Sequence, residues 1–365
     1  MSKAHDVHAV ILAGGRGTRF WPKSRMDVPK QLLPIIGEKT LIRETFERVC
    51  GNIPAENVWV ITNRGLRRKI IEELPEMVED QVIAEPYSRS TAPALGLAAL
   101  HIKRKVGLSA VMASFHADHV IGDLDKFNRT VAVALEAARE PNVLVTIGIR
   151  PSSPHTGYGY IEVEGALDVR GSGDPPVLKV ERFVEKPDLD RAKQFLKQGN
   201  YLWNSGIFFW RIDTLIQAID RYLPRLYRDL MIIDKEIGTS NEFDTTRAIF
   251  AEIDPVAIDR GVMERADSVL TVPGDFGWND VGSFATLYDY WKPDEKGNRV
   301  RGKAVTLKST GLLIDSPKKL VAAVGVEDLI IVNTESALLI CSKQHAQDVG
   351  KVVDTLEERG EIEHL

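Results

Sequence analysis

The chain has 365 residues, 44% of them hydrophobic and 27% charged, with a formal net charge of −5 at pH 7; this is an ordinary globular composition, long enough for a large core and two domains. The negative balance argues against broad nucleic-acid binding, so a nucleotide has to be met by a local basic pocket. Cys50 and Cys341 are the two cysteines, too few for a disulfide framework or a zinc site; no apolar run approaches membrane-spanning length and residues 1–8 are too short for a signal peptide, so the expected compartment is the cytoplasm, away from membranes.

To about residue 150 the pattern alternates. Apolar, β-rich runs at 9–13, 58–62, 81–84, 110–114 and 143–149 are separated by helical periodicity at 41–50, 66–79, 92–106 and 124–139. Alternating strand and helix predicts a mostly parallel, Rossmann-like mixed α/β sheet flanked by helices, with ligands at the carboxyl ends of the strands. From 156 to 291 the order is less regular: strands at 158–164, 177–185 and 206–212, helices at 213–222, 245–250 and 255–266, and a Gly/Pro/Asp-rich loop at 165–176. After 293 come short apolar runs at 304–307, 311–314, 320–323, 329–332 and 338–340, then a helix at 343–359; a small β-roll or a few coils of β-helix fits that spacing. The expected division is 1–292, in two halves that meet at about 150, and 293–365 as a small β-rich domain.

The first strand opens into Gly14-Gly15-Arg16-Gly17-Thr18-Arg19, followed by Trp21-Pro22-Lys23-Ser24-Arg25 and Pro29-Lys30-Gln31. Glycines let backbone N–H groups converge on a ligand, and three arginines and two lysines bring positive charge to the same segment, as a phosphate site requires. A Walker loop is absent, and the third glycine of a dinucleotide fingerprint is replaced by Phe20. The alternative is a glycine turn with a solvated basic face. The typed positions together resemble the sugar-1-phosphate nucleotidyltransferases, and the Trp-Pro-x-Ser-Arg and Pro-Lys-Gln parts look like the mannose-1-phosphate guanylyltransferase branch.

That resemblance implies attack by a sugar-1-phosphate oxygen on the α-phosphate of a nucleoside triphosphate, a reaction that needs charge neutralisation, in-line placement and a divalent cation but no protein nucleophile. It implies Arg19 and Lys30 as catalytic cations, Arg19 towards the pyrophosphate and Lys30 towards the transferring phosphate, with Leu12, Gly14, Gly15, Arg16, Gly17, Thr18, Glu85 and Thr91 around the nucleotide. Asp118, just past an apolar strand, and Asp280, in Trp278-Asn279-Asp280-Val281-Gly282, are the implied Mg²⁺ ligands, since carboxylate oxygens suit that hard cation. Their structural alternatives are a turn residue and an N-cap for a helix beginning near Val281. His116 and His119 flank Asp118 and offer a His-Asp-His transition-metal site instead, although a Mg²⁺-nucleotide accounts for the aspartate without them.

Glu85 begins Glu85-Pro86-Tyr87-Ser88-Arg89-Ser90-Thr91-Ala92-Pro93-Ala94, similar to a family segment in which Asn stands at the place of Ser90. A carboxylate there accepts from both N1–H and the exocyclic amine of guanine, a donor pair that adenine and the pyrimidines lack; the alternative for Ser90 is simply to cap the following helix. The sugar phosphate is expected near Gly157, Glu185, Lys186, Asn204 and Asp259, on segments that resemble the family in the same chain order; Arg260 stands where the family has an aromatic residue. The resemblance further implies a short left-handed β-helix at the C-terminus, homodimer contacts through it, and a monofunctional enzyme making GDP-mannose and pyrophosphate from GTP and mannose 1-phosphate. The alternatives are another sugar 1-phosphate such as glucose or heptose, another nucleotide, a non-catalytic regulatory or binding subunit, or a dinucleotide-binding oxidoreductase.

Overall fold

The computed structural model describes residues 6–165 and 173–365; 166–172, within the loop expected at 165–176, lie outside the described residues. The chain divides into two compact units, Met1–Gly14 with Thr45–Asn279 and Gly15–Glu44 with Asp280–Leu365. The division thus falls inside the glycine loop, and the second unit combines the basic segment with the C-terminal stretch.

The first unit is built on β1 (Val7–Leu12), β2 (Val58–Asn63), α2 (Arg67–Glu73), β3 (Val82–Glu85), α3 (Thr91–Val106), β4 (Val111–His116), α4 (Leu124–Ala137) and β5 (Leu144–Ile149), preceded by α1 (Leu41–Val49), which runs across the unit boundary. These elements follow the alternating pattern, except that α2 stops at Glu73, six residues short of the expected 79. Beyond them lie β6 (Tyr160–Val163), β7 (Leu178–Val184), α5 (Leu189–Gln198), β8 (Tyr201–Arg211), α6 (Ile212–Tyr222), α7 (Pro224–Glu236), α8 (Glu242–Glu252) and β9 (Val269–Gly274). The expected helix at 255–266 is a short π-helical turn at Asp259–Met263. Two helices escaped the periodicity reading although both carry start signals: Asp188 caps α5 by accepting from the Arg191 N–H at 2.8 Å, and Pro224 opens α7.

The nine strands form one sheet in the order β3-β2-β1-β4-β8-β5-β9-β7-β6. The pairs among β3, β2, β1 and β4 are parallel, so their carboxyl ends share one edge. β8 enters antiparallel between β4 and β5 and also pairs with β6; it begins at Tyr201, ahead of the expected 206, and so carries Trp203 to Gly206 inside the strand. Helix α3 is buried from Ala92 to Leu100 and packs there with Val10, Trp59, Met112, Leu215, Leu226 and Leu230 into one core; a helical stretch apolar all round is one covered on all sides.

In the second unit β10 (Arg299–Leu307), β11 (Leu313–Val324), β12 (Leu329–Asn333) and β13 (Leu338–Ser342) form a sheet in chain order, parallel from β10 to β12 and antiparallel at β13. The runs expected at 311–314 and 320–323 are one strand, because β11 continues through Pro317 at an irregularity in its pairing with β10, where a residue without an N–H is tolerated. A 3₁₀ turn at Lys343–Asp348 and α9 (Val349–Arg359) follow. No helix among the described residues is long and apolar enough to cross a membrane.

Candidate active site

In the first unit the parallel strand ends gather one group of predicted residues. Leu12 ends β1, and Ala13 is held by its N–H to the Ile61 carbonyl at 2.8 Å and by the Thr62 hydroxyl on its own carbonyl at 3.0 Å. This fixes where Gly14 leaves the sheet. Glu85 ends β3, only 5% exposed, and a Cβ built on Gly14 comes 3.8 Å from its Oε2. Its Oε1 is buried with no hydrogen-bond partner, and burial raises the carboxyl to a pKa of about 8. A buried carboxyl lacking partners is costly in isolation and calls for a ligand with donors.

Ser90 precedes α3 at φ 69° without a side-chain capping bond, so the capping alternative is not what the structure shows. Thr91 accepts the Ile258 N–H at 2.8 Å, and Arg89 donates to the Phe250 carbonyl at 2.7 Å and to that of Ala251 at 2.5 Å. These bonds tie the 89–91 segment to the chain that leads into Asp259.

Asp118 occupies the turn after β4. Thr45 and Arg48, both fully or nearly buried on α1, donate to the carbonyls of Ala117 at 3.3 Å and His119 at 3.2 Å, and the Ala117 N–H reaches the Leu12 carbonyl at 3.0 Å. Ligand atoms of His116, Asp118 and His119 lie within 4.8 Å of one another. The Trp278 indole donates to His119 Nδ1 at 3.1 Å, and a two-bond bridge pairs Val120 with Asn279; Asp280 follows Asn279 in the chain.

The predicted sugar residues converge from three elements. The Asn204 amide on β8 donates to Asp259 Oδ1 at 2.6 Å, and its N–H bonds the Gly159 carbonyl at 2.8 Å. At Gly159 an added Cβ would stand 2.7 Å from Glu185 Oε2 and 3.5 Å from Asn204 Cβ. Gly157, by contrast, gives its N–H to His155 Nδ1 at 3.2 Å; Gly159 is the glycine at the carboxylates, a position marked in the sequence only by the Gly-Tyr-Gly run. Burial pushes the Asp259 carboxyl above the usual range, opposed by the Asn204 hydrogen bond and by His116, while Glu185 adds to the rise. His116 therefore belongs to this group, with its ring against Gly206, a role that the sequence reading did not give it. Lys186 pairs with Glu185 at 3.0 Å from a left-handed backbone at φ 43°.

In the second unit Gly17 has φ 63°, and a Cβ there would fall 2.3 Å from Lys30 Cβ; both facts demand glycine. Lys30 is 5% exposed and donates to the Asp280 carbonyl at 2.7 Å. Arg19 is exposed and reaches the Gly282 carbonyl at 3.5 Å, and Gly282 also borders the Asp280 carboxylate oxygens. Lys30, Arg19 and Asp280 thus meet around one short segment. No helix starts at Val281, which has φ 45°; the first helical turn is Phe284–Asp289, so Asp280 is no N-cap. Arg16 forms an exposed pair with Glu357 on α9, and Thr18 lies against Gly350.

Comparisons with known proteins identify the family. The nucleotidyl transferase family matches residues 8–297, and the MannoseP isomerase/GMP-like beta-helix domain family matches residues 302–356. Mannose-1-phosphate guanylyltransferase of Klebsiella pneumoniae is 37% identical over 358 residues, 97% of this chain and 75% of that protein, and the Escherichia coli protein of the same name matches to the same extent. A crystal structure described as mannose-1-phosphate geranyltransferase from Thermus thermophilus aligns with a TM-score of 0.84 at 31% identity, over 96% of this chain and 99% of that one. Motifs, fold and both domain matches agree: the chain belongs to the nucleotidyl transferase family, and within it to the mannose-1-phosphate guanylyltransferases.

Proposed function

We propose that this chain transfers GMP from GTP to α-D-mannose 1-phosphate, releasing GDP-mannose and pyrophosphate. The observation that carries the choice of nucleotide is the buried, partnerless Glu85 carboxyl beside Gly14. Guanine offers its N1–H and exocyclic amine to one carboxylate, and satisfying a buried acceptor in this way discriminates strongly against bases without that donor pair. Arg19 and Lys30 neutralise the phosphates, the arginine as a fork and the lysine as a point charge. Asn204, Asp259 and Glu185 receive the sugar hydroxyls, and Lys186 the sugar phosphate.

The reaction is an in-line attack by the sugar-phosphate oxygen on the α-phosphate, with no covalent enzyme intermediate. Asp118 and Asp280 would hold Mg²⁺, which supplies charge neutralisation at the phosphates; the oxygen donors of two aspartates suit a hard cation, and the bonds from Thr45 and Arg48 that order the Asp118 turn support a fixed ligand. The protein acts in the cytoplasm as a homodimer, an assembly supported by exposed apolar side chains on β10, β11 and β13.

The test incubates purified protein with Mg²⁺, the four nucleoside triphosphates and a panel of sugar 1-phosphates, and identifies products by mass spectrometry. GDP-mannose as the main product, lost in Asp118→Ala, is expected. A different sugar nucleotide would refute the substrate assignment, and no product at all would refute catalysis.

A further inference from the structure

The basic segment 16–30 holds five cations, Arg16, Arg19, Lys23, Arg25 and Lys30, and within the second unit they divide into two sets. Arg19 and Lys30 bond around Asp280–Gly282. The other three are engaged by the C-terminal stretch. Lys23 pairs with Asp315 on β11, a carboxylate with no exposed surface that also takes the Arg301 guanidinium through two bonds, Nε at 3.1 Å and a second nitrogen at 2.5 Å. Arg25 donates to the His364 carbonyl and, at 2.6 Å, to the Ser336 hydroxyl, while the Trp21 indole donates to the same His364 carbonyl at 2.7 Å. Arg16 pairs with Glu357.

A continuous path joins the two sets. Lys23 is fixed by Asp315, the next residue Ser24 donates its hydroxyl to the Gly17 carbonyl at 2.7 Å, and Gly17 is packed on the Lys30 side chain. Gly17 also starts the 3₁₀ turn that carries Arg19. Burying a carboxylate between two cations adds little net stability against apolar replacement, because desolvation offsets the attraction; in some proteins such a group instead fixes one defined geometry.

We propose that Asp315, acting through Lys23, is a positioning residue of the nucleotide loop: the C-terminal sheet sets the backbone at Gly17, and so the places of Arg19 and Lys30, without touching substrate. The inference rests on the reading of this segment as the triphosphate site. It also changes the meaning of the signature, since Lys23 and Arg25 become anchors to β11 and the C-terminal residues, not phosphate ligands.

The experiment is steady-state kinetics of the full chain with GTP and mannose 1-phosphate, on wild type, Asp315→Asn, Lys23→Met and Lys23→Arg, with melting temperatures recorded alongside. Lys23→Met leaves Asp315 its Arg301 partner, so it keeps the proposal testable if Asp315→Asn fails to fold. The expected result is a GTP KM raised by about fivefold or more in Lys23→Met, with the mannose 1-phosphate KM within about twofold of wild type, and recovery in Lys23→Arg. An unchanged GTP KM overturns the proposal, and so does an equal loss on both substrates accompanied by a lowered melting temperature, which is the mark of a merely structural pair. A wild-type protein inactive with GTP would sink the reading of the site itself, whereas active wild type with unaltered variants sinks only the role given to Asp315.

Discussion

At the scale of single residues, Glu85 joins function to stability. Burial raises its carboxyl to a pKa of about 8, so it is protonated at neutral pH and, in the proposed complex, must ionise to accept two hydrogen bonds from guanine. GTP affinity is therefore expected to weaken as pH falls below about 8, by up to tenfold per unit, whereas Glu85→Gln should bind GTP weakly with a flat profile; isothermal titration from pH 6 to 9 distinguishes the two. The same shift acts on folding with the opposite consequence. Between 4.5 and about 8 the native state holds a proton that the unfolded chain has released, so this group's stability contribution falls as pH rises through that window, by up to roughly 1.4 kcal/mol per unit. Glu85→Gln should accordingly melt higher than wild type at pH 8, with the difference shrinking towards pH 5. Gly17→Ala is the complementary case: the left-handed backbone and the 2.3 Å clash with Lys30 Cβ predict a stability loss of about 1–3 kcal/mol, together with loss of turnover, read by denaturant unfolding and by assay.

At the scale of elements, the proposed sugar group depends on β8 entering antiparallel beside β5 and β6, because that strand brings Asn204 to the Gly159 carbonyl and to Asp259. Gly159→Ala would push the Glu185 carboxylate aside with little disturbance to the backbone, since the obstructing atom ends a flexible side chain. The expected outcome is a mannose 1-phosphate KM raised about tenfold with GTP binding intact; equal KM values for both variant and wild type would contradict the placement of the sugar at Glu185. The turn after β4 is held from α1, so Arg48→Met, which removes the bond to the His119 carbonyl, should raise the Mg²⁺ concentration that gives half-maximal activity. A magnesium titration unchanged from wild type would separate that turn from the metal.

At the scale of the whole molecule, Leu307, Leu320 and Val324 on β10 and β11 are each more than half exposed, and the register that sets Leu307 opposite Val324 puts them on one side of the sheet, a concentration of apolar surface that marks an interaction face more often than a solvated one. If that face joins two copies, Leu320→Glu with Val324→Glu should yield monomers by light scattering, while a dimer surviving both changes would move the contact elsewhere. By itself the sequence determined the strand–helix alternation to residue 150 and the glycine-rich basic loop that follows the first strand, because both are written in local periodicity and in typed residues at short spacing. It also held the positions that the resemblance singled out, from Arg19 and Lys30 to Asp118 and Asp280. Only the tertiary structure decided that Gly159 and His116 join Glu185, Asn204 and Asp259, that Glu85 is buried without a partner, and that Lys23 and Arg25 answer to Asp315 and His364. Those facts rest on strand order and on contacts between residues tens to hundreds of positions apart, and desolvation and long-range pairing leave no local pattern in a chain.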